Sequence, residues 1–162
     1  MHDPATDALT DVQTEALISH IRTRYHDTHR REFPDLIRLA RKVETTHATD
    51  PNTPHGLTHA LEVMIAELEA HMHEEEEIIF PAARTGAAGL ATAAIPGLRS
   101  AHDAHEAALN QIAAITHGFR LPLNACRSWR RLYHGLGKLA EDLDEHIYLE
   151  NEVLFPRLGT QA

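Results

Sequence analysis

The apolar positions of this chain fall into stripes with helical periodicity. Leu57, Leu61, Met64, Leu68, His71, Glu75 and Ile78 follow steps of four and three, which places them on one helix face. Trp129, Leu132, Leu136, Leu139, Leu143, His146, Glu150 and Val153 repeat the pattern. Ile95, Leu98, His102, His105, Leu109 and Ile112 form a third stripe, and Leu36, Ala40 and Val43 a fourth with His47 in line. Turn-forming residues interrupt the chain at Asp50-Pro51-Asn52-Thr53-Pro54, between Pro81 and Gly89, and between Gly118 and Asn124. Helices are therefore predicted over about 9–31, 34–48, 56–80, 95–117 and 125–155. Pro34 suits a helix start and makes the first two segments a bent or broken pair. Asn124 is the expected N-cap of the last helix. Short connections between amphipathic helices imply an all-α, antiparallel four-helix bundle with a bent or additional N-terminal helix, a single domain over 1–162.

Two of these stripes carry a histidine and, four residues later, a glutamate in line with the leucines. A buried carboxylate without a partner costs several kcal/mol even after relaxation. Two helices carry one at the same relative place, so a compensating charge is expected, and a metal ion is the natural one. The surrounding stretches match: His71-Met-His-Glu-Glu75-Glu-Glu-Ile-Ile-Phe80-Pro81 and His146-Ile-Tyr-Leu-Glu150-Asn-Glu-Val-Leu-Phe155-Pro156. Both read H-x-x-x-E-x-E, two aliphatics, then Phe-Pro. One such pair also arises on wet helix faces; two copies on core stripes define a metal site. Periodicity leaves open which of His102 and His105 reaches it, and His26, His29 and His47 are further candidates. His2, His20, His55, His59, His73, His117 and His134 read as surface or loop residues.

Composition narrows the chemistry. Fourteen histidines stand out, since imidazole is the commonest metal ligand in proteins. The net charge of −9 excludes a phosphate-backbone partner, and the local cluster Arg22, Arg24, Arg30, Arg31, Arg38, Arg41 and Lys42 reads as a solvated face interleaved with acids. Asp3, Asp7, Asp11 and Glu15 near the start exclude a signal peptide there, and no apolar run reaches the roughly 18–20 residues of a membrane span. Cys126 is the one cysteine, so no internal disulfide forms and the expected compartment is the cytoplasm. An all-N/O donor set suits iron or manganese and excludes a thiolate zinc site or an iron–sulfur cluster.

The chain resembles the hemerythrin-like HHE superfamily, and within it the RIC family of di-iron proteins that repair damaged iron–sulfur clusters. The resemblance spans about residues 20–157. It rests on Arg24-Tyr25-His26-Asp27-Thr28-His29-Arg30, Lys42-Val43-Glu44-Thr45-Thr46-His47, Pro54-His55-Gly56-Leu57, both HxxxE blocks, His102-Asp103, Ala125-Cys126-Arg127-Ser128-Trp129 and Phe155-Pro156-Arg157. It implies a hemerythrin-like bundle with two iron ions in an oxo- or hydroxo-bridged centre. By position, the implied ligands are His26, His47, His71, His102 and His146, with Glu75 and Glu150 as bridging carboxylates. Five imidazoles, two bridging carboxylates and one bridging oxygen leave one position open on two octahedral irons, where nitric oxide or oxygen would bind. The implied function is a response to nitric oxide or oxidative stress, with damaged iron–sulfur proteins as partners and iron donation or nitric oxide reduction left open. The alternative is a reversible oxygen or nitric oxide carrier or sensor. Two departures are expected to matter: no N-terminal cysteine-bearing domain fits in this length, and Ala101 stands where close family members carry an acid.

Overall fold

In the computed structural model, residues 4–85 and 88–159 are described, and among them every regular element is helical. Helix α1 (Pro4–His20) runs through a π-helical turn (Ile21–His26) into α2 (Asp27–Thr46). Helix α3 (Leu57–Glu74) passes through a second π-turn (Glu75–Ile79) into the short α4 (Phe80–Thr85). Helix α5 (Ala88–Ile115) runs without a π-turn, and α6 (Arg127–Tyr148) continues through a third π-turn (Leu149–Leu154) into α7 (Phe155–Gly159). The helices pack as the expected bundle: α2 lies against both α3 and α6, α3 lies against α5, and α1 is the additional N-terminal helix, packed near α4 and the third π-turn.

Each predicted stripe is buried, with instructive exceptions. Ile78 is 51 % exposed and its neighbour Ile79 is fully buried; Val153 is only half-buried and Leu154 takes the inward place. Both lie within a π-turn, Glu75–Ile79 or Leu149–Leu154, whose wider winding shifts the inward position by about one residue. A 3.6-residue stripe read from sequence cannot carry across that turn.

The prolines also correct the expected boundaries. Pro34 lies inside α2, and the irregularity is the π-turn upstream of it. Phe33 and Leu36 flank Pro34 in the core, so tertiary packing carries the helix past a residue that cannot donate a backbone bond. Pro96 is likewise inside α5, which begins earlier than expected, and the chain stays helical past Pro81 to Thr85. The N-cap of α6 is Cys126, two residues beyond Asn124, whose amide instead bonds Asp50 across the loops at 2.8 Å.

Two apolar clusters make the interior. The larger holds Phe33 to Val43, Leu57 to Met72, Leu109, Ile112 and Trp129 to Ile147. The smaller holds Ile18, Ile21, Ile79, Phe80, Ala91, Ile95, Leu98, Leu154, Phe155 and Leu158. Each fully buried Leu, Ile, Phe or Met side chain stabilises the fold by roughly 1.5–3 kcal/mol relative to exposure. Gly135 on α6 lets that helix approach α2: a Cβ there would come within 2.7 Å of Leu36 Cδ2. On all four bundle helices the chain passes from one cluster to the other through a single polar layer, and that layer contains the histidines and glutamates.

Candidate metal centre

The layer is made of two overlapping groups of possible ligands. One is His26, Glu75, His146 and Glu150; the other is His71, Glu75, His102 and Glu150, each with its ligand atoms within 4.8 Å of one another. Both glutamates belong to both groups. His26 closes the first π-turn, Glu75 opens the second and Glu150 lies in the third. The wider turns therefore fall where ligand-bearing side chains meet at the axis, as π-turns often do at functional sites.

The donors face one another at short range. Nε2 of His71 is 2.9 Å from Glu75 Oε1, and Nε2 of His102 is 2.8 Å from Glu150 Oε1. Nε2 of His146 is 2.9 Å from Glu150 Oε2, and Nε2 of His26 stands 3.6 Å from Glu75 Oε1 and 3.7 Å from Glu150 Oε2. Nε2 atoms of His71 and His102 are 3.0 Å apart. Ligand atoms about 2.1 Å from one cation and at right angles would be about 3 Å apart, so these spacings suit a shared ion. The satisfaction of the polar atoms points the same way. Glu75 and Glu150 are fully buried, yet both oxygens of Glu75, Oε1 of Glu150 and Nε2 of His26 lack a partner with hydrogen-bond geometry. Buried polar atoms are nearly always paired, so four orphans in one layer call for a cation.

Electrostatics separates the two carboxylates. Burial, reinforced by the neighbouring Glu150 carboxylate, pushes Glu75 well above the usual carboxylate range. Burial also raises Glu150, but His146, His102 and His26 outweigh it and hold this carboxyl well below its usual range. Two adjacent buried carboxylates cannot both ionise without added positive charge.

The outer contacts orient the rings. His26 Nδ1–H donates to Glu76 Oε2 at 2.8 Å, and His102 Nδ1–H donates to Asn151 Oδ1 at 2.7 Å. Glu76 and Asn151 each follow directly after a layer glutamate, so one turn supplies both a carboxylate to the axis and an anchor for a ring opposite. Such bonds at Nδ1 leave Nε2 free to bind a metal. His146 Nδ1 shares a hydrogen bond of 3.2 Å with His29 Nε2, and the His105 ring stands edge-on to His71 at 5.1 Å. Burial lowers His29 to about 3 and His105 to about 4, so both stay neutral at ordinary pH.

Six of the seven expected ligands thus converge: His26, His71, His102, His146, Glu75 and Glu150. His47 does not. It caps the C-terminus of α2, and the helix between it and His26 spans roughly 30 Å at 1.5 Å per residue. There it packs against Trp129 and shares a 3.3 Å hydrogen bond with Cys126 Sγ. Being in line with a buried stripe fixed its face of the helix but not its depth in the bundle.

The supporting pair His29 and His105 also had a sequence signal. His26-Asp27-Thr28-His29 and His102-Asp103-Ala104-His105 are both H-D-x-H, and each precedes an HxxxE block at a separation differing by one residue. The site is built from two copies of one helical hairpin, which sets each second histidine beside a ring from the other copy. The surface assignments hold: His20, His55, His59, His73, His117 and His134 are exposed, while His2 lies outside the described residues. The basic cluster is interleaved with acids, through pairs such as Arg24–Asp142, Arg30–Glu69 and Arg41–Glu62.

The whole layer falls inside a stretch that one family model matches: the hemerythrin HHE cation binding domain covers residues 17–158. The chain belongs to that family. Among curated relatives it is similar to the iron-sulfur cluster repair protein YtfE of Salmonella newport (strain SL254) and of Salmonella agona (strain SL483). Identity is 44% over 141 residues, covering 87% of this chain and 64% of each relative. The chain thus spans just under two thirds of the length of those proteins. Among the described residues, no helix is long and apolar enough to cross a membrane.

Proposed function

We propose that this chain is a single hemerythrin-like unit holding two iron ions, and that it acts in the cytoplasm in the repair of iron–sulfur proteins damaged by nitric oxide or oxidants. The observation that carries the reading is the pair of overlapping four-residue groups sharing Glu75 and Glu150. The names of its relatives supply the cellular task. His26 and His146 would hold one ion, which we term position A, and His71 and His102 the other, position B, with both glutamates bridging. Iron bound there would supply open coordination for nitric oxide or oxygen and a store of iron for a client cluster.

The chain's own residues do the rest. Two imidazoles and two shared carboxylate oxygens per ion are fewer donors than an octahedral ion takes, so each position keeps room for a small ligand. The apolar clusters above and below exclude bulk water, and Phe80 and Phe155 stack on His26 and His102 at 5.9 and 5.7 Å. Glu76 and Asn151 fix the ring orientations through Nδ1. His29 and His105, held neutral, add no charge to a layer that must accept cations.

Metal analysis with a nitric oxide titration of the reduced protein tests the proposal. Two irons per chain and an iron–nitrosyl spectrum are expected. A fully loaded sample that gives no nitrosyl signal would sink the functional reading, and a protein that retains no iron would sink the site. Transfer of iron from the loaded protein to an apo iron–sulfur acceptor tests the donation step.

A further inference from the structure

The two halves of the layer are related by the internal repeat, but their surroundings are not equivalent. At position A, His26 Nδ1 bonds the Glu76 carboxylate, which Arg30 clamps through two contacts of 2.8 and 3.0 Å; Arg30 is itself held by Glu69 at 3.0 Å. The second ring of A, His146, is braced by His29. At position B, His102 Nδ1 bonds only a neutral amide, that of Asn151. Among the described residues no hydrogen bond reaches His71 Nδ1, and this ring, at 5 % exposure, is the most exposed of the four. Glu75 and Glu150 serve both positions, so the difference must come from these outer contacts.

A carboxylate behind an imidazole makes the ring a stronger donor to a metal and fixes its orientation, whereas an amide offers orientation alone. A ring with no outer bond can rotate away at little cost. Resting on the metal-centre reading above, we propose that positions A and B differ in affinity, that A is the retained ion and B the exchangeable one, and that Glu76 is the positioning residue that sets the difference. The matching residues after Glu75 and Glu150, an acid in one copy and an amide in the other, divide a repeated site into a holding half and a releasing half.

Ion–ion repulsion would also make two steps unequal, so each position is tested with its partner removed. In His102→Ala protein position A is intact, and in His26→Ala protein position B is intact. Each full-length apo variant is titrated with Co²⁺, followed by its visible absorption and by calorimetry, with circular dichroism to verify folding. The A-retaining variant should bind one Co²⁺ at least about ten-fold more tightly, the lower end of what an outer-contact partner contributes. Adding Glu76→Gln to it should remove most of that advantage. Adding Asn151→Asp to the wild-type chain should tighten the weaker step by a similar factor, and this arm alone decides if Glu76→Gln does not fold. Equal affinities in the two single variants overturn the inference, as does an advantage that survives Glu76→Gln or a weaker step that Asn151→Asp leaves unchanged. Failure of the wild-type chain to bind Co²⁺ in a way that Glu75→Ala abolishes would instead overturn the metal-centre reading itself.

Discussion

Helix α2 has a histidine at each end, each in a stretch on which the family resemblance rests, and the two ends do different work. At the first, His26 is fully buried among three carboxylates, those of Glu75, Glu76 and Glu150, with the His146 ring 5.0 Å away. At the second, His47 is half-buried in a knot of chain connections. Glu44 accepts bonds from the backbone N–H of Gly56 at 2.7 Å and Thr58 at 3.0 Å, placing a negative charge at the N-terminus of α3. Gly56 turns into that helix with φ of +89°, a conformation that favours glycine. Thr53 Oγ1 donates to the His47 carbonyl, and Cys126, the N-cap of α6, bonds the His47 ring. The stretches at 42–47, 54–57 and 125–129 thus define how α2, α3 and α6 are joined, while those at 24–30, 71–75, 102–105 and 146–150 define the polar layer. A shared motif can mark either, and only its position along the bundle tells which.

The strongest way to break this division is to remove a carboxylate at each end. Glu75→Ala or Glu150→Ala should lower metal affinity by more than about 100-fold, because both positions lose a shared ligand together. Glu44→Ala should leave metal content unchanged and cost about 1 kcal/mol through the lost cap. Metal analysis and chemical denaturation of the three variants decide the matter. Two ions retained in either of the first two variants would refute the bridging roles, and metal loss in Glu44→Ala would show that the ends are coupled.

The two histidines give a finer contrast. His26→Ala should empty position A, while His47→Ala should keep both ions and lose about 1–2 kcal/mol from its hydrogen bond and its packing on Trp129. If His47→Ala proves the more damaging to metal content, His47 belongs to the centre after all. His29→Ala and His105→Ala should fall between, weakening metal binding without abolishing it.

Much of this is legible in the amino-acid sequence. The leucine stripes, both HxxxE pairs and the buried faces of α3, α5 and α6 follow from 3.6-residue periodicity, which is local information. Three things are not. The π-turns at Ile21–His26, Glu75–Ile79 and Leu149–Leu154 leave no composition signal, so Ile78 and Val153 were placed on the wrong side. Pro34 and Pro96 carry a strong helix-breaking signal that packing from distant segments overrides. His47 shares a face with core residues, and periodicity measures angle around a helix, with no information about which layer a residue reaches.

Acid should separate the groups by pH window in the metal-free protein. Burial lowers His29 to about 3 and His105 to about 4, whereas the unfolded chain takes up these protons near the ordinary value of 6.5. The unfolded state therefore binds more protons below about 6.5, and stability falls with pH from there until the folded groups titrate. Asp142 behaves differently. Burial raises its carboxyl, but bonds from Arg24 at 2.8 Å and Lys138 at 2.9 Å outweigh it and leave it below the usual range. Its contribution is present above the unfolded value of about 4 and is lost as pH falls through the folded one. Asp142→Asn should cost about 1–2 kcal/mol at neutral pH and flatten the stability curve only below about pH 4. A change confined to pH 5–7 would assign the acid response to the wrong groups.

The smallest expected effect is at Cys126. Its thiol is half-buried, and the bond to His47 is its contribution to the far end of α2. Serine keeps a small side chain able to share a hydrogen bond with an imidazole nitrogen, and it is also a favourable residue at a helix N-cap, the position Cys126 occupies. Cys126→Ser should therefore change stability by no more than about 0.5 kcal/mol and leave metal content and the proposed nitric oxide binding unaltered. Cys126→Ala removes the hydrogen-bonding group, but His47 is close enough to solvent for water to replace it, so the loss should stay below about 1 kcal/mol. Denaturant titrations of both variants, with metal analysis beside them, test this. If Cys126→Ser emptied the centre while folding normally, the two ends of α2 could no longer be separate, because a thiol outside the layer would be controlling it. If it preserved the iron and abolished repair of a damaged cluster, the far end would hold a chemical role of its own, and the thiol would have to be counted among the reacting groups.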